Sequence, residues 1–315
     1  MQSVRAAVLR TLAYDAARSY APTALQLALS LDFGRAGAQE KTELSQAMSA
    51  IQALIAEGRI AEKFGRLALP DFVEQIQEGR EKEIYFPRKL RRAVRMVGFF
   101  RWLPWVRAVC LCNTMALGQS QDSGDLDFFV VAKAGTIWRT RFFMALPLKL
   151  LGVRPGNALA KDPVCLSFFV SDEELDMSRF MLENDDPYFR HWLLSLLPLH
   201  DDGVMSQMWE RNRSWIQKRH PLAKRWMATS CSYLGHTGYL PLHVKAGERN
   251  KNLSWLEAWL KKIQWRKFPK AILDLANKDT RVVVDDRALK FHVDDKREKF
   301  REKYYAICQQ YGLDV

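Results

Sequence analysis

Asp125 and Asp127 stand two residues apart in "LGQSQDSGDLDFFVVAK" (residues 117–133), where a loop with Gly and Ser runs into strand formers. On an extended strand, residues i and i+2 project from one face, roughly 6–7 Å apart along the chain. Both carboxylates therefore aim the same way. Like charges this close repel, and one keeps its proton unless a cation or strong donors stand between them. A divalent cation resolves the conflict, and Mg²⁺ is commonly held by one or two carboxylates together with substrate phosphates. The preceding Ser120, Ser123 and Gly124 bring hydroxyls and free backbone amides that can cradle phosphate oxygens. The plainer alternative is an exposed Asp-x-Asp turn that feeds a strand.

A second group of chemical residues lies far along the chain, in "LKFHVDDKR": Lys290, His292, Asp294, Asp295 and Arg297. Lys290 and Arg297 are candidates to hold a triphosphate, and His292 suits acid–base work near neutral pH. The alternative is a solvated helix start in which Asp294 and Asp295 cap the last helix. Lys133, in the turn after the carboxylate strand, and Arg139 and Arg141, early in the next helix, are further phosphate candidates. The other histidines show no metal-ligand spacing. The five cysteines, at 110, 112, 165, 231 and 308, are scattered and odd in number, as reduced core thiols would be. Walker A, nucleophile-elbow and dinucleotide fingerprints do not occur.

The elements that must position these residues follow from periodicity. Helices are expected over residues 4–12, from Pro22-Thr23 onward, and over "QEKTELSQAMSAIQALIAEGRI", where Leu44, Met48, Ile51, Leu54 and Ile55 form one stripe. Two short strands around "KFGR" follow. Three helices and a hairpin make a winged-helix pattern over residues 1–72. Its nine basic and nine acidic residues through position 80 argue for a packing or substrate-orienting unit over a DNA reader. Residues 73–176 read as helix, strand, turn, strand, helix, strand: "PRKLRRAVRMVGFFRWL" with Leu90, Val94, Val97 and Phe100 inward, then "WVRAVCLCNT", 128–132, a helix over 136–151, and 164–170. Residues 177–315 read as mainly helical. "DPYFRHWLLSLLPLHD" is one buried helix ended at Pro198, and residues 253–276 form one basic amphipathic helix. "TRVVVDD" is a short strand before a final helix with a loop-like start. Residues 222–246, with His236 and His243, show no clear period.

"CNTMALGQSQDSGDLDFFVV" resembles the signature of the DNA polymerase β-like nucleotidyltransferase superfamily. There a strand ends in Gly-Ser, a short helix follows, and a second strand carries Asp-x-Asp. Matched back from the carboxylates, Asp125 and Asp127 fall on the two metal ligands and Gly124 on the place usually held by Ser. Asn113 and Thr114 fall where Gly-Ser is expected. The neutral front, "TIWRTRFF", "VCLSFFVS", "DPYFRHWLLSLLPL" and "ALKFHVDDKR" extend the likeness over most of the chain, to bacterial nucleotidyltransferase-like proteins with a winged-helix-like N-terminus. The resemblance implies an α/β core of the nucleotidyltransferase type within a mostly α-helical protein. It also implies Mg²⁺ on Asp125 and Asp127, catalytic in both cases, and transfer of a nucleoside monophosphate from an NTP, ATP first among them, to an unidentified acceptor. Thr114 and the 118–124 loop, with Gly118, Ser120, Ser123 and Gly124, would seat the β- and γ-phosphates. A third carboxylate is often present on the strand after the helix. Here that strand has no acid, and Ser167 sits near its place. A distant carboxylate such as Asp294 or Asp295 folding into the site, an acidic group on the substrate, or binding without turnover would each account for that.

Charge narrows the partners. Of the net +12, residues 205–315 carry 23 basic against 12 acidic side chains, so the C-terminal third holds nearly all of it. Such a surface attracts phosphates of a nucleotide, a nucleic acid or a lipid head group, which keeps a nucleic-acid-binding regulator among the alternatives, beside a degenerate nucleotide-binding regulatory protein. The longest apolar stretches, 142–151 and 192–199, are too short to span a bilayer. With no secretory signal apparent at the N-terminus, a cytoplasmic protein without a transmembrane segment is expected.

Overall fold

The computed structural model describes residues 2–38, 41–156, 161–223 and 254–315. Three helices, α1 (Gln2–Ala17), α2 (Ala24–Leu29) and α3 (Leu44–Ala56), precede a hairpin of β1 (Ala61–Lys63) and β2 (Arg66–Ala68). Thr23 caps α2 in a capping box with Gln26. Phe64 and Gly65 both take positive φ, the conformation a tight two-residue hairpin needs. α3 turns Ala47, Ala50, Ile51 and Leu54 inward and leaves Leu44 at the surface. Its sequence holds no Lys or Arg. The core under these helices is shared with the chain's last helix (Arg297–Gln310), which adds Tyr304, Ile307 and Cys308.

Next come α4 (Glu74–Glu83) and α5 (Phe86–Phe100). α5 buries Leu90, Val97 and Phe100 as its periodicity predicts, and also Lys89, which the pattern places on the polar face. The Lys89 ammonium is neutralised inside by Asp162 at 3.3 Å and donates to the carbonyl of Gly124. A buried cation is tolerated because it is paired and hydrogen-bonded.

A mixed six-stranded sheet carries the middle of the chain. Its strands are β3 (Val106–Leu111), β4 (Leu126–Ala132), β5 (Val164–Ser171), β6 (Leu197–Asp201), β7 (Val282–Val284) and β8 (Ala288–Phe291), in the order β6-β3-β4-β5-β8-β7. β4 runs antiparallel to β3 and parallel to β5; the other pairings are antiparallel. The short α6 (Asn113–Ala116) links β3 to β4, and α7 (Ile137–Leu150) makes the crossover to β5. α8 (Pro187–Ser195) and α9 (Val204–Arg219) cover one sheet face, packing on Phe129 and Val131. α5, α7 and α10 (Ser254–Arg266) cover the other, packing on Leu126, Phe128 and Val130. α11 (Lys270–Leu275) and α12 (Arg297–Gln310) complete the described elements.

Two of three departures from the sequence pattern come from a tertiary partner that periodicity cannot see, and the third from a proline inside the run. The buried helix ends at Ser195, and "LPLHD" becomes β6. Pro198 fits there because β6 is an edge strand and its register shifts at the pairing with Cys110. The basic helix is broken by Pro269 into α10 and α11. "ALKF" is not a loop-like helix start but β8, which pairs with β5. Residues 224–253, including His236 and His243, lie outside the described residues.

Candidate active site

Asp125 closes the 118–124 loop and Asp127 is the second residue of β4, a strand buried on both faces beyond it. Alternation puts Asp127 on the same side as Phe129, toward α8. It opens into a cleft of about 660 Å³, which β5, α8, β8 and the start of α12 also line. That volume suits a small-molecule ligand. Asp125 lines this cleft and a second, more open one beside α4.

The turn from β3 into α6 supports Asp127. Asn113 takes φ +56, a region that glycine enters freely and Asn tolerates best among other residues. Its Oδ1 accepts from the Tyr188 hydroxyl at 3.4 Å, which leaves its amide N–H groups to bond the Asp127 carboxylate. The Cys165 thiol, beside Asp127 in register, also bonds that carboxylate. Burial raises the Asp127 carboxyl above the ordinary range, and the Asp125 charge raises it further against those two bonds. Burial also raises Asp125, opposed by Lys89. Among the described residues no Lys or Arg forms a salt bridge with either carboxylate.

The donor set tests the fit of a cation. Two carboxylates in one cleft, neither in a salt bridge among the described residues, offer hard oxygen ligands of the kind Mg²⁺ takes. Cys165 does not compete, because burial pushes its thiol up to about 12 and keeps it protonated.

β8 delivers the distant cluster to this cleft. Lys290, His292, Asp294, Asp295 and Arg297 all line it with Asn113, Asp125 and Asp127. Their states differ. His292 Nε2 lies 3.2 Å from the Ser167 hydroxyl, and burial, reinforced by Lys290, pushes the imidazole down to about 4. Arg297 is fully committed: it bonds Asp186, Asp295, Thr280 and the carbonyl of Phe180. Lys290 donates to the Thr280 carbonyl and stands 4.0 Å from Asp295, and burial pushes it down to about 7. Neither cation is free to meet a phosphate without giving up a buried partner. Asp295 is spent on Arg297, whereas Asp294 is exposed and meets Lys296 at 3.4 Å. Lys296 is the exposed cation of the cleft, and a terminal position in the "DDK" run is its only mark in sequence. Tyr188 and Phe300 stack on each other at 5.3 Å on the cleft wall, a flat surface that the sequence pattern did not reveal.

Other residues of the phosphate set lie elsewhere. Lys133 is at the far end of β4, about 20 Å from Asp127 at strand spacing. Gly118 and Ser120 are buried: Gly118 takes φ +75, and the Ser120 hydroxyl donates to the Gln121 carbonyl. Gly124 packs so closely on Ser120 that a Cβ would stand 3.1 Å from its hydroxyl. With Arg88 holding Asp122 and Asp162, the loop is tied down and braces Asp125. Ser123 is exposed on the second cleft, and Thr114 is exposed outside the walls of the first. Searches against family models, curated proteins and solved structures return no match.

Asp32, His191 and His220 form a separate buried cluster with ligand atoms within 4.8 Å of one another. Arg190 and Arg219 reach the Asp32 carboxylate at 3.3 and 3.1 Å, so positive charge already holds the place a cation would take. Imidazole donors also set it apart from a Mg²⁺ site.

Proposed function

We propose that the chain is a Mg²⁺-dependent nucleotidyltransferase that moves a nucleoside monophosphate from an NTP to an acceptor hydroxyl with release of pyrophosphate. One observation carries this reading: Asp125 and Asp127 share a nucleotide-sized cleft with no cation among the described residues salt-bridged to either. The order strand, short helix, antiparallel strand, helix, parallel strand around them supports it, as does the resemblance of "CNTMALGQSQDSGDLDFFVV". Mg²⁺ held by the two carboxylates would offset charge on the phosphates during an in-line displacement. Asn113 and Tyr188 orient Asp127, and the stacked Tyr188 and Phe300 offer a face for the base. Lys296 supplies charge at the cleft rim.

His292 takes the work of the third acid. It is neutral above about pH 4, its Nε2 meets Ser167 where that acid is expected, and it can accept the proton of the attacking hydroxyl. His292→Gln is expected to lower turnover about 10²- to 10⁴-fold, and to change the acid limb that the wild-type rate shows as pH falls toward His292's value, leaving the part set by the raised Asp125 and Asp127 carboxyls. Pyrophosphate release measured against pH checks both. A pH profile unchanged in His292→Gln removes the residue from the chemistry.

The commitment of Lys290 and Arg297 favours a second reading, a protein that binds Mg²⁺–nucleotide without turning it over. A Mg²⁺-dependent thermal shift with ATP, coupled to no pyrophosphate release across hydroxyl acceptors, selects it.

A further inference from the structure

On the sheet face away from Tyr188 and Trp192, α7 and α10 lie side by side over the core. A groove of about 190 Å³ runs between them. Phe142, Leu146 and Ile263 give it apolar walls, and Arg141, Lys149, Arg154 and Lys267 give it charge. Among the described residues no carboxylate lines it. Arg141 is the clearest sign of a missing partner. Its guanidinium lies over the rings of Phe268 and Phe291, 5.0 and 4.8 Å from their centroids, and Nη1 donates to Gln264 at 2.6 Å. Among the described residues its buried Nε has no hydrogen-bond partner. Burial pushes it down to about 10, Arg154 adds to that, and among the described residues no acid opposes them. A buried charge without a counter-charge is strongly destabilising, so the groove suits an anion from beyond the described residues.

The surface around it says which kind. Leu150 and Leu151, at the end of α7, are 78% and 70% exposed. Trp255 and Trp259, one helical turn apart on α10, are 68% and 54% exposed, with Lys262 and Arg266 continuing the outward stripe. Large exposed apolar residues thus stand on both helices of the pair. Aliphatic leucines offer nothing for a nucleobase to stack on, whereas Leu and Trp interspersed with Lys and Arg are the composition of a helix that lies in a lipid interface.

We propose that this face docks on an anionic membrane surface, with a phospholipid phosphate taken by Arg141, Lys149, Arg154 and Lys267 while Leu146, Leu150, Leu151 and Trp259 enter the acyl boundary. No helix among the described residues is long and apolar enough to cross a membrane, so attachment is peripheral. The contact also places the carboxylate cleft on the side turned away from the lipid.

Flotation of the full chain with vesicles of phosphatidylcholine alone, or with an equal part of phosphatidylglycerol, tests this. Binding is expected only on the anionic vesicles and is expected to weaken with salt. Lys149→Gln, Arg154→Gln and Lys267→Gln should each lower partitioning roughly fivefold. The Leu150→Ser/Leu151→Ser pair should lower it by at least about tenfold. All these positions are exposed or half-buried, so the unfolding midpoint should hold and serves as the folding control. Equal binding to neutral vesicles, partitioning untouched by these variants, or a groove that takes inorganic phosphate or an RNA oligonucleotide while vesicles are ignored would each overturn the proposal.

Discussion

Asp127→Asn is expected to abolish the Mg²⁺-dependent thermal shift produced by ATP while leaving the ligand-free protein at least as stable as wild type. The two halves of this result have one cause. In the free protein the Asp127 carboxylate sits in a buried setting beside Asp125 with no salt-bridged cation among the described residues, and its folded-state value is raised. A raised carboxyl is fully tolerated at low pH, where it is protonated in both states. It costs stability as pH rises from the unfolded value through the folded one, so at neutral pH the charge opposes folding. The isosteric amide removes that cost. It also removes one of two hard ligands and the charge that neutralises the cation, a term of several kcal/mol, which corresponds to a loss in turnover on the order of 10³-fold. Asp125→Asn should cost as much activity but relieve less strain, because Asp125 is the more open of the two. Thermal scans with and without Mg²⁺–ATP, run beside a pyrophosphate assay, read both quantities. A nucleotide shift that survives in the Asp125→Asn/Asp127→Asn protein would move the site elsewhere and sink the transferase reading.

The carboxylate pair was legible because its signal is local: two acids at strand spacing, a loop before them and a buried strand after. What gives the pair its surroundings was not local. Lys290 and His292 reach the cleft only because "ALKF" forms β8 and pairs with Phe168 and Phe169 of β5, more than a hundred residues earlier. Four residues of alternating sequence beside a charged run read equally well as a helix approach, and only the sheet edge decides between them. Lys89 shows the same limit. Its position in "PRKLRR" suits a polar stripe, yet Asp162 and the Gly124 carbonyl make a buried site for it. The phosphate loop inverted for the same reason: Ser120 and Gly118 face inward, where packing fixes Asp125, and only Ser123 keeps its hydroxyl outside. Residue type told which atoms could do chemistry, but long-range pairing told which of them are free to do it.

Asp32→Asn should be the most destabilising single substitution away from the cleft, by about 3–5 kcal/mol, read as a lower urea midpoint. Asp32 lies between α2 and α3, where Gly34 N–H donates to its carboxylate at 2.8 Å and Arg190 of α8 and Arg219 of α9 reach it. Both guanidiniums also meet Asp185, which Tyr305 of α12 bonds at 2.8 Å. The Asp32 carboxylate thus joins the N-terminal helices to α8 and α9, and Asp185 extends the network to α12. The amide keeps the shape but leaves two buried guanidiniums sharing Asp185 alone. Acid should expose the network in two stages. Burial holds His191 and His220 below their ordinary value, His220 down to about 4, so the stability tied to their neutral forms is present above about 6.5 and lost as pH falls from there toward 4. Burial alone would raise Asp32, but the charges of His220, Arg190 and Arg219 hold it well below the carboxylate range. Its contribution is present above the unfolded value near 3.8 and fades only as pH falls further. Asp32→Asn should therefore lose the second stage and keep the first, while His220→Gln should shrink the first stage to the part that His191 supplies and keep the second. Because α8 also carries Tyr188, which bonds Asn113 beside Asp127, the network gives the neutral N-terminal unit a task that needs no nucleic acid. It fixes the helix against which the carboxylate cleft is built, and a urea midpoint unmoved by Asp32→Asn would take that task away.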